Sequence, residues 1–228
     1  VTRQDDPVTP DDTIELARAT SERGELVLRR RYDGALELRA NGVFVMDTVE
    51  TSTERALATR ALQLHDRPAA VLVGGLGLGY TLGAVLEDDR VERVTVVEIE
   101  PALVGWMRDG SVPGGELLED RRVTATVGDV AEVLRDSPRS AYDLVLLDVD
   151  NGPGYLVHDA NADLYAAPAL EDARRATRPG GTVVVWSAAE APELERTMAR
   201  VFGRAEAVSY DVDLQGRAET YWLYVGHV

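Results

Sequence analysis

From Glu25 to Asp47 the chain alternates apolar and polar residues, "ELVLRRRYDGALELRANGVFVMD", around Asp33-Gly34 and Asn41-Gly42. A period of two puts alternate side chains on opposite faces of a strand, and Asp-Gly and Asn-Gly supply the positive φ that tight hairpin turns need. This stretch therefore predicts a small antiparallel sheet. The period then changes. In "TSTERALATRALQLH", Leu57, Ala61, Leu62 and Leu64 fall on one helical stripe, and Thr51 and Glu54 stand at the spacing of a capping box. Beyond that helix, strand candidates at 69–73, 94–99, 123–127, 142–148 and 181–186 alternate with helical segments. Such alternation predicts an α/β fold, a doubly wound and mostly parallel sheet with helices on both faces. The closing "AEAVSYDVDLQGRAETYWLYVGHV" reads as two strands about Gln215-Gly216, an antiparallel hairpin at the end of the sheet.

The organisation expected is an acidic flexible tail over 1–24, a small β-sheet domain over 25–50 and a larger α/β domain over 51–228. Ala69 to Leu86 carries no charge for eighteen residues, but five glycines interrupt it, so it reads as a buried strand, turn and helix rather than a membrane span. The first residues, "VTRQDDPVTPDD", have neither the basic start nor the apolar stretch of a secretion signal, and a cytoplasmic protein is expected.

Composition narrows the chemistry. Forty acidic against twenty-four basic residues give a formal charge of -16, a field that repels nucleic acid and anionic lipid and attracts cations. High acidity is also a common solubility device, so the charge supports a cationic substrate without establishing one. The absence of cysteine excludes disulfides, thiolate metal sites and cysteine nucleophiles, and three scattered histidines do not make a metal site.

The first core strand ends in "GGLGLG", with Gly74, Gly75, Gly77 and Gly79 opening a helix. Glycines there let backbone approach a ligand closely, while unpaired amides at the helix start favour polar or anionic groups. Glu98 ends the next strand about twenty residues on, where an acid in such a fold accepts both hydroxyls of a ribose. As a solvent-facing strand end it would contribute little to folding. The alternative is an ion pair with Arg93 or Arg108. Asp129, after the third strand in "VGDVAEVL", either takes an adenine amine or caps the helix that begins at Val130.

In this order and at these intervals, "VLVGGLGLG", "VTVVEIEP", "VGDVAEVL" and "YDLVLLDVD" resemble spermidine synthase and its relatives, the polyamine aminopropyltransferases, and the resemblance runs from about residue 24. "NGVFVMDT" leading into "TSTERALA" is similar to that family's N-terminal β-sheet domain. The resemblance implies a Rossmann-like fold of the class I S-adenosylmethionine type. It implies a sulfonium nucleoside, S-adenosylmethionine or its decarboxylated form, as donor, with Glu98 on the ribose and Asp129 on the adenine amine. It also implies a small-molecule amine acceptor and a homodimer. Asp148 matches the family's catalytic aspartate. A carboxylate is needed there because an amine of pKa near 10.4 is protonated at neutral pH and must be held and relieved of its proton.

The chain also departs from the family's pattern. Gly77 stands where the synthases carry an aspartate, Asn151 where they carry a second one, and Ser52 and Val45 where they have a tyrosine and a glutamine; the nearby acid is kept as Glu54. Asp148, Asp150 and Asn151 are the catalytic candidates. Glu54, Tyr155 and His158 are the candidate acceptor contacts, the last two in a polar loop over 149–164 that reads as a lid. Three functions remain: aminopropyl transfer to an amine, methyl transfer from S-adenosylmethionine, favoured by the missing acid at Gly77, and non-catalytic nucleoside binding.

Overall fold

The computed structural model of the protein describes residues 13–149, 152 and 159–228. The chain divides into two compact units, 1–49 and 50–228.

The first unit is a four-stranded antiparallel sheet, β1 (Ile14–Ser21), β2 (Gly24–Arg30), β3 (Leu36–Ala40) and β4 (Val43–Asp47), in that spatial order. Asn41 and Gly42 both take positive φ, 51° and 78°, and close the two-residue hairpin between Ala40 and Val43. Leu26, Leu28, Leu38 and Met46 form the buried face predicted by the alternation. On the other face Glu37, 1% exposed, is held by Arg29 at 2.7 Å and by Arg39 at 2.5 Å. β1 corrects the expectation of a tail reaching residue 24. Gly24, with φ 110°, turns the chain so that Ser21, Ala19 and Ala17 pair with Gly24, Leu26 and Leu28, and small residues at alternate positions lie against β2 without needing a long apolar run.

The second unit contains α1 (Ser52–Gln63), β5 (Ala70–Gly74), α2 (Tyr80–Leu86), β6 (Arg93–Glu98), α3 (Pro101–Arg108), α4 (Gly115–Glu119), β7 (Val123–Val127), α5 (Val130–Asp136) and β8 (Tyr142–Leu147). A 3-10 turn (Asp159–Tyr165), α6 (Ala167–Ala176), β9 (Thr177–Ser187), α7 (Pro192–Phe202), β10 (Ala205–Leu214) and β11 (Arg217–His227) follow. The sheet order is β10-β11-β9-β8-β5-β6-β7; the pairs from β9 to β7 are parallel, and β11 and β10 add the antiparallel end. Central strands buried on both faces read as continuous apolar runs, and every residue of β5 is buried. Leu72, Val97, Val145, Leu147, Val183 and Val185 pack with Leu134, Leu170, Ala173, Leu194 and Met198 of α5, α6 and α7. The alternate residues, among them Val73, Leu146 and Val184, belong to the opposite face, where α1 and α2 meet the sheet.

β5 lies between β6 and β8: the chain runs from β5 to β6 and β7 at one edge, then crosses back to β8 and β9 on the other side. Ligands of open parallel sheets bind at such a switch point, beyond the carboxyl ends of the strands. The glycine turn after β5 and Asp148 after β8 stand there side by side.

Candidate functional site

β5 ends in a turn built on glycine. Gly75, Gly77 and Gly79 have φ of 94°, 52° and 90°, in the left-handed region that L side chains rarely adopt. Gly75 has a second reason: a Cβ placed on it would lie 2.0 Å from the Asp148 carbonyl oxygen. The Asp148 amide in turn donates to the Gly74 carbonyl at 2.8 Å. Turn and catalytic candidate are therefore locked backbone to backbone. Gly79 is the N-cap of α2, and its own Cβ would press on Leu117 and Met107 at 3.1 Å each.

Glu98 is not a solvent-facing strand end. It is 7% exposed, and the turn wraps around it: Oε2 accepts the Leu76 amide at 2.9 Å and Oε1 the Glu100 amide at 2.8 Å, while the Gly77 amide also donates to it. Burial raises its pKa, with these three amides opposing the rise. Arg93 is engaged elsewhere, donating to the Ala141 carbonyl at 2.6 Å. A carboxylate offers about four acceptor positions, so three amides leave one clear position for a ligand hydroxyl. Asp129 caps α5 with Oδ1, which accepts the Ala131 amide at 2.8 Å. The Gly128 amide, one residue before, donates to the Glu98 carbonyl at 2.9 Å and sets the two acids at adjacent strand ends.

Glu54 and Asp148 meet on the α1 and α2 side of the sheet. The capping-box expectation fails: Thr51 makes no side-chain cap bond, and Glu50 Oε1 instead accepts the Ser52 amide at 2.9 Å. Glu54 is turned inward to 7% exposure, where Oε2 accepts from the Thr53 hydroxyl at 3.1 Å. Asp148 Oδ2 accepts from the Thr81 hydroxyl at 2.7 Å. Both carboxyls have raised pKa values. Burial is the main cause for each; Glu54 is raised further by the charge of Asp148, and Asp148 by that of Glu98, against the lowering effect of Thr81. Three desolvated carboxyls that oppose one another's ionisation favour a cation in their midst.

The strand order thus brings together Gly74, Gly75, Gly77, Gly79, Glu98, Asp129, Glu54 and Asp148. Asp150, Asn151, Tyr155 and His158 lie outside the described residues, as does most of the loop that carries them. Gly152 is described: it is buried with φ 84°, and a Cβ on it would meet Ser187 Oγ at 2.3 Å, so the backbone at this residue lies close against the end of β9. Tyr165, buried, donates its hydroxyl to the Val149 carbonyl and pins the backbone just after Asp148. Thr81 and Tyr165 were missed by sequence reasoning. A hydroxyl in the first turn of the helix after the glycines is the one available signal for Thr81; for Tyr165 there is none. Among the described residues no group of three or more His, Asp or Glu could hold a metal ion, and no helix is long and apolar enough to cross a membrane.

A sequence profile of the spermine/spermidine synthase domain matches residues 50–206. Putrescine N-methyltransferase 4 of Nicotiana tabacum is 29% identical over 153 residues, 66% of this chain and 36% of that protein. Spermidine synthase 1 of Pisum sativum is 31% identical over 150 residues, 62% of this chain and 43% of that protein. The chain spans less than half the length of these relatives. The crystal structure of spermidine synthase from Thermotoga maritima superimposes with a TM-score of 0.78 at 18% identity, over 93% of this chain and 72% of that one. A spermidine synthase in complex with the transition-state analogue AdoDATO superimposes with a TM-score of 0.79, also at 18% identity, over 93% and 73%. These two likenesses establish the mostly parallel α/β fold.

Proposed function

Since the chain belongs to the spermine/spermidine synthase family, we propose that it transfers an alkyl group from a sulfonium nucleoside to a small amine. The observation that carries this reading is the pair of buried carboxyls, Glu54 and Asp148, set beside the glycine turn with raised pKa values. An ammonium ion entering between them relieves their mutual repulsion and is held there. The donor supplies an electrophilic carbon next to a positively charged sulfur. As the amine nitrogen forms its bond to that carbon, the carbon–sulfur bond breaks and its electron pair stays on sulfur, giving a neutral thioether that needs no acid to leave. The protein's task is the amine. Asp148 accepts the proton that the nitrogen must lose, and Thr81 fixes the carboxylate that receives it.

The residues present fit the nucleoside. The glycine turn presents backbone without side chains at the end of β5, and Glu98 keeps acceptor capacity for a ribose hydroxyl. Asp129 is half-buried and caps α5 through Oδ1, and its other oxygen is the proposed partner for the adenine amine. The reading as aminopropyl transfer from decarboxylated S-adenosylmethionine rests on the family's pattern. A second reading, methyl transfer from S-adenosylmethionine, is favoured by Gly77, which places no acid beside the donor's amino acid moiety. Incubating the protein with each donor and a panel of small amines that includes putrescine and 4-amino-1-butanol, and weighing the amine product by mass spectrometry, separates the two. Absence of any alkylated amine with either donor contradicts both.

A further inference from the structure

Among the described residues, three buried side-chain polar atoms have no hydrogen-bond partner: Arg60 Nε, Thr182 Oγ1 and Trp186 Nε1. They are not equivalent. Arg60 reaches Glu206 through Nη2 at 3.4 Å and remains one third exposed. Thr182 lies in mid-strand, about 13 Å from the ligand end of β9 at the rise of an extended chain. Trp186 stands at that end, 5% exposed. Leu147 of β8 is paired with Val185 of β9, so the next residues along these parallel strands are Asp148 and Trp186. Residues level with each other in a parallel pair share a face, and this one is the face of Glu54 and Thr81. The indole is held by Tyr221 of β11, edge to face, with ring centroids 5.0 Å apart.

A buried N–H without a partner is rare in native proteins, since leaving it unpaired costs more than a hydrogen bond returns. Here it is a rigid donor one strand away from the proposed base. An indole N–H donates only, so its ligand must accept. A second ammonium group, as on a diamine, has no lone pair to offer. A carboxylate accepts well but is repelled by Glu54, Asp148 and Glu98. A neutral oxygen meets both conditions. We infer that Trp186 selects the acceptor: its indole N–H binds a neutral hydroxyl or carbonyl oxygen at the far end of the molecule whose amine lies at Asp148. The preferred acceptor class is then an amino alcohol or a related amine with a neutral oxygen, not a diamine. This inference rests on the amine-acceptor reading above.

Three probes of equal chain length test it: n-butylamine, 4-amino-1-butanol and putrescine, titrated by calorimetry into the protein with 5′-methylthioadenosine present. One hydrogen bond to an otherwise unpaired donor is expected to make the amino alcohol bind about 5- to 10-fold tighter than butylamine. It should also bind at least as tightly as putrescine. Trp186→Phe, which keeps the ring and removes the N–H, should erase the alcohol's advantage and leave butylamine within about twofold. A second readout needs no variant: the Trp186 indole N–H resonance should shift with the amino alcohol and stay in place with butylamine. The inference is overturned if putrescine binds tenfold tighter than the amino alcohol, or if Trp186→Phe leaves the preference intact. It is also overturned if S-adenosylmethionine alone shifts the indole resonance, because the donor's carboxylate is then the partner. If none of the amines binds, the amine-acceptor reading fails and this inference with it; if all bind alike, only this inference fails.

Discussion

The Thr81 hydroxyl donates to Asp148 Oδ2 at 2.7 Å and lies 3.2 Å from the backbone carbonyl oxygen of Glu54. A hydroxyl has one proton, and the shorter contact takes it. Thr81 therefore stabilises the ionised form of Asp148 and opposes the rise in pKa that burial and Glu98 impose.

Thr81→Val keeps the shape and removes this donor. The pKa of Asp148 should rise further, so the acidic limb of the kcat profile should move to higher pH by about 1 to 2 units, the scale of one charge-assisted hydrogen bond. Thr81→Ser should restore the wild-type limb. A limb that stays in place in Thr81→Val means that Asp148 is not the titrating base.

Glu54 is raised above its ordinary value of 4.5 in the folded protein. The folded state then binds more protons than the unfolded state from about pH 4.5 upward, and its stability falls as pH rises through that window. Glu54→Gln removes this slope. Melting temperatures compared at pH 5.5 and pH 8 should show the variant gaining relative to wild type at the higher pH while losing amine affinity. An unchanged difference between the two pH values contradicts the assignment.

The wrapping of the glycine turn around Glu98 changes what a mutation there does. Glu98→Gln puts an amide NH2 against backbone donors, so it should destabilise the nucleoside-free protein by about 1 to 3 kcal/mol as well as weaken nucleoside binding. Chemical denaturation without ligand measures the first effect and calorimetry the second. Unchanged stability in the empty protein is inconsistent with the buried amide contacts.

How much of this was legible in the sequence depends on what each residue answers to. The central parallel strands were readable because burial on both faces leaves a nearly unbroken apolar run, and Glu98 and Asp148 because each is an acid near the end of such a run. β1 was misread because it pairs through small residues and ion pairs beside an acid-rich stretch, which gives no apolar alternation. Thr51 and Glu54 have the spacing of a capping box, yet α1 is capped by Glu50 and Glu54 turns inward, a choice made by tertiary packing. Trp186 looked like the last apolar residue of a strand; that its N–H lacks a partner is a property of the folded neighbourhood alone.

Gly77, at φ 52°, sits where aspartate is among the better tolerated L residues. The protein is expected to bind S-adenosylmethionine at least as tightly as the decarboxylated nucleoside. Gly77→Asp should shift the preference toward the decarboxylated form by about 1 to 2 kcal/mol, through repulsion of the carboxylate and attraction of the free amine. Titrating both nucleosides into both proteins measures it; a wild type that already prefers the decarboxylated form tenfold contradicts the role given to Gly77.

Asp148→Asn keeps the size of the side chain and one acceptor oxygen while removing the negative charge that holds the ammonium and the base that takes its proton. Single-turnover transfer from the preferred donor to 4-amino-1-butanol or putrescine, measured in wild type and variant with donor affinity recorded alongside, tests the account at its centre. With Asp148 as the base, the rate should fall by about 10² to 10⁴ while donor affinity stays nearly unchanged. A variant that turns over within a few-fold of wild type would contradict it.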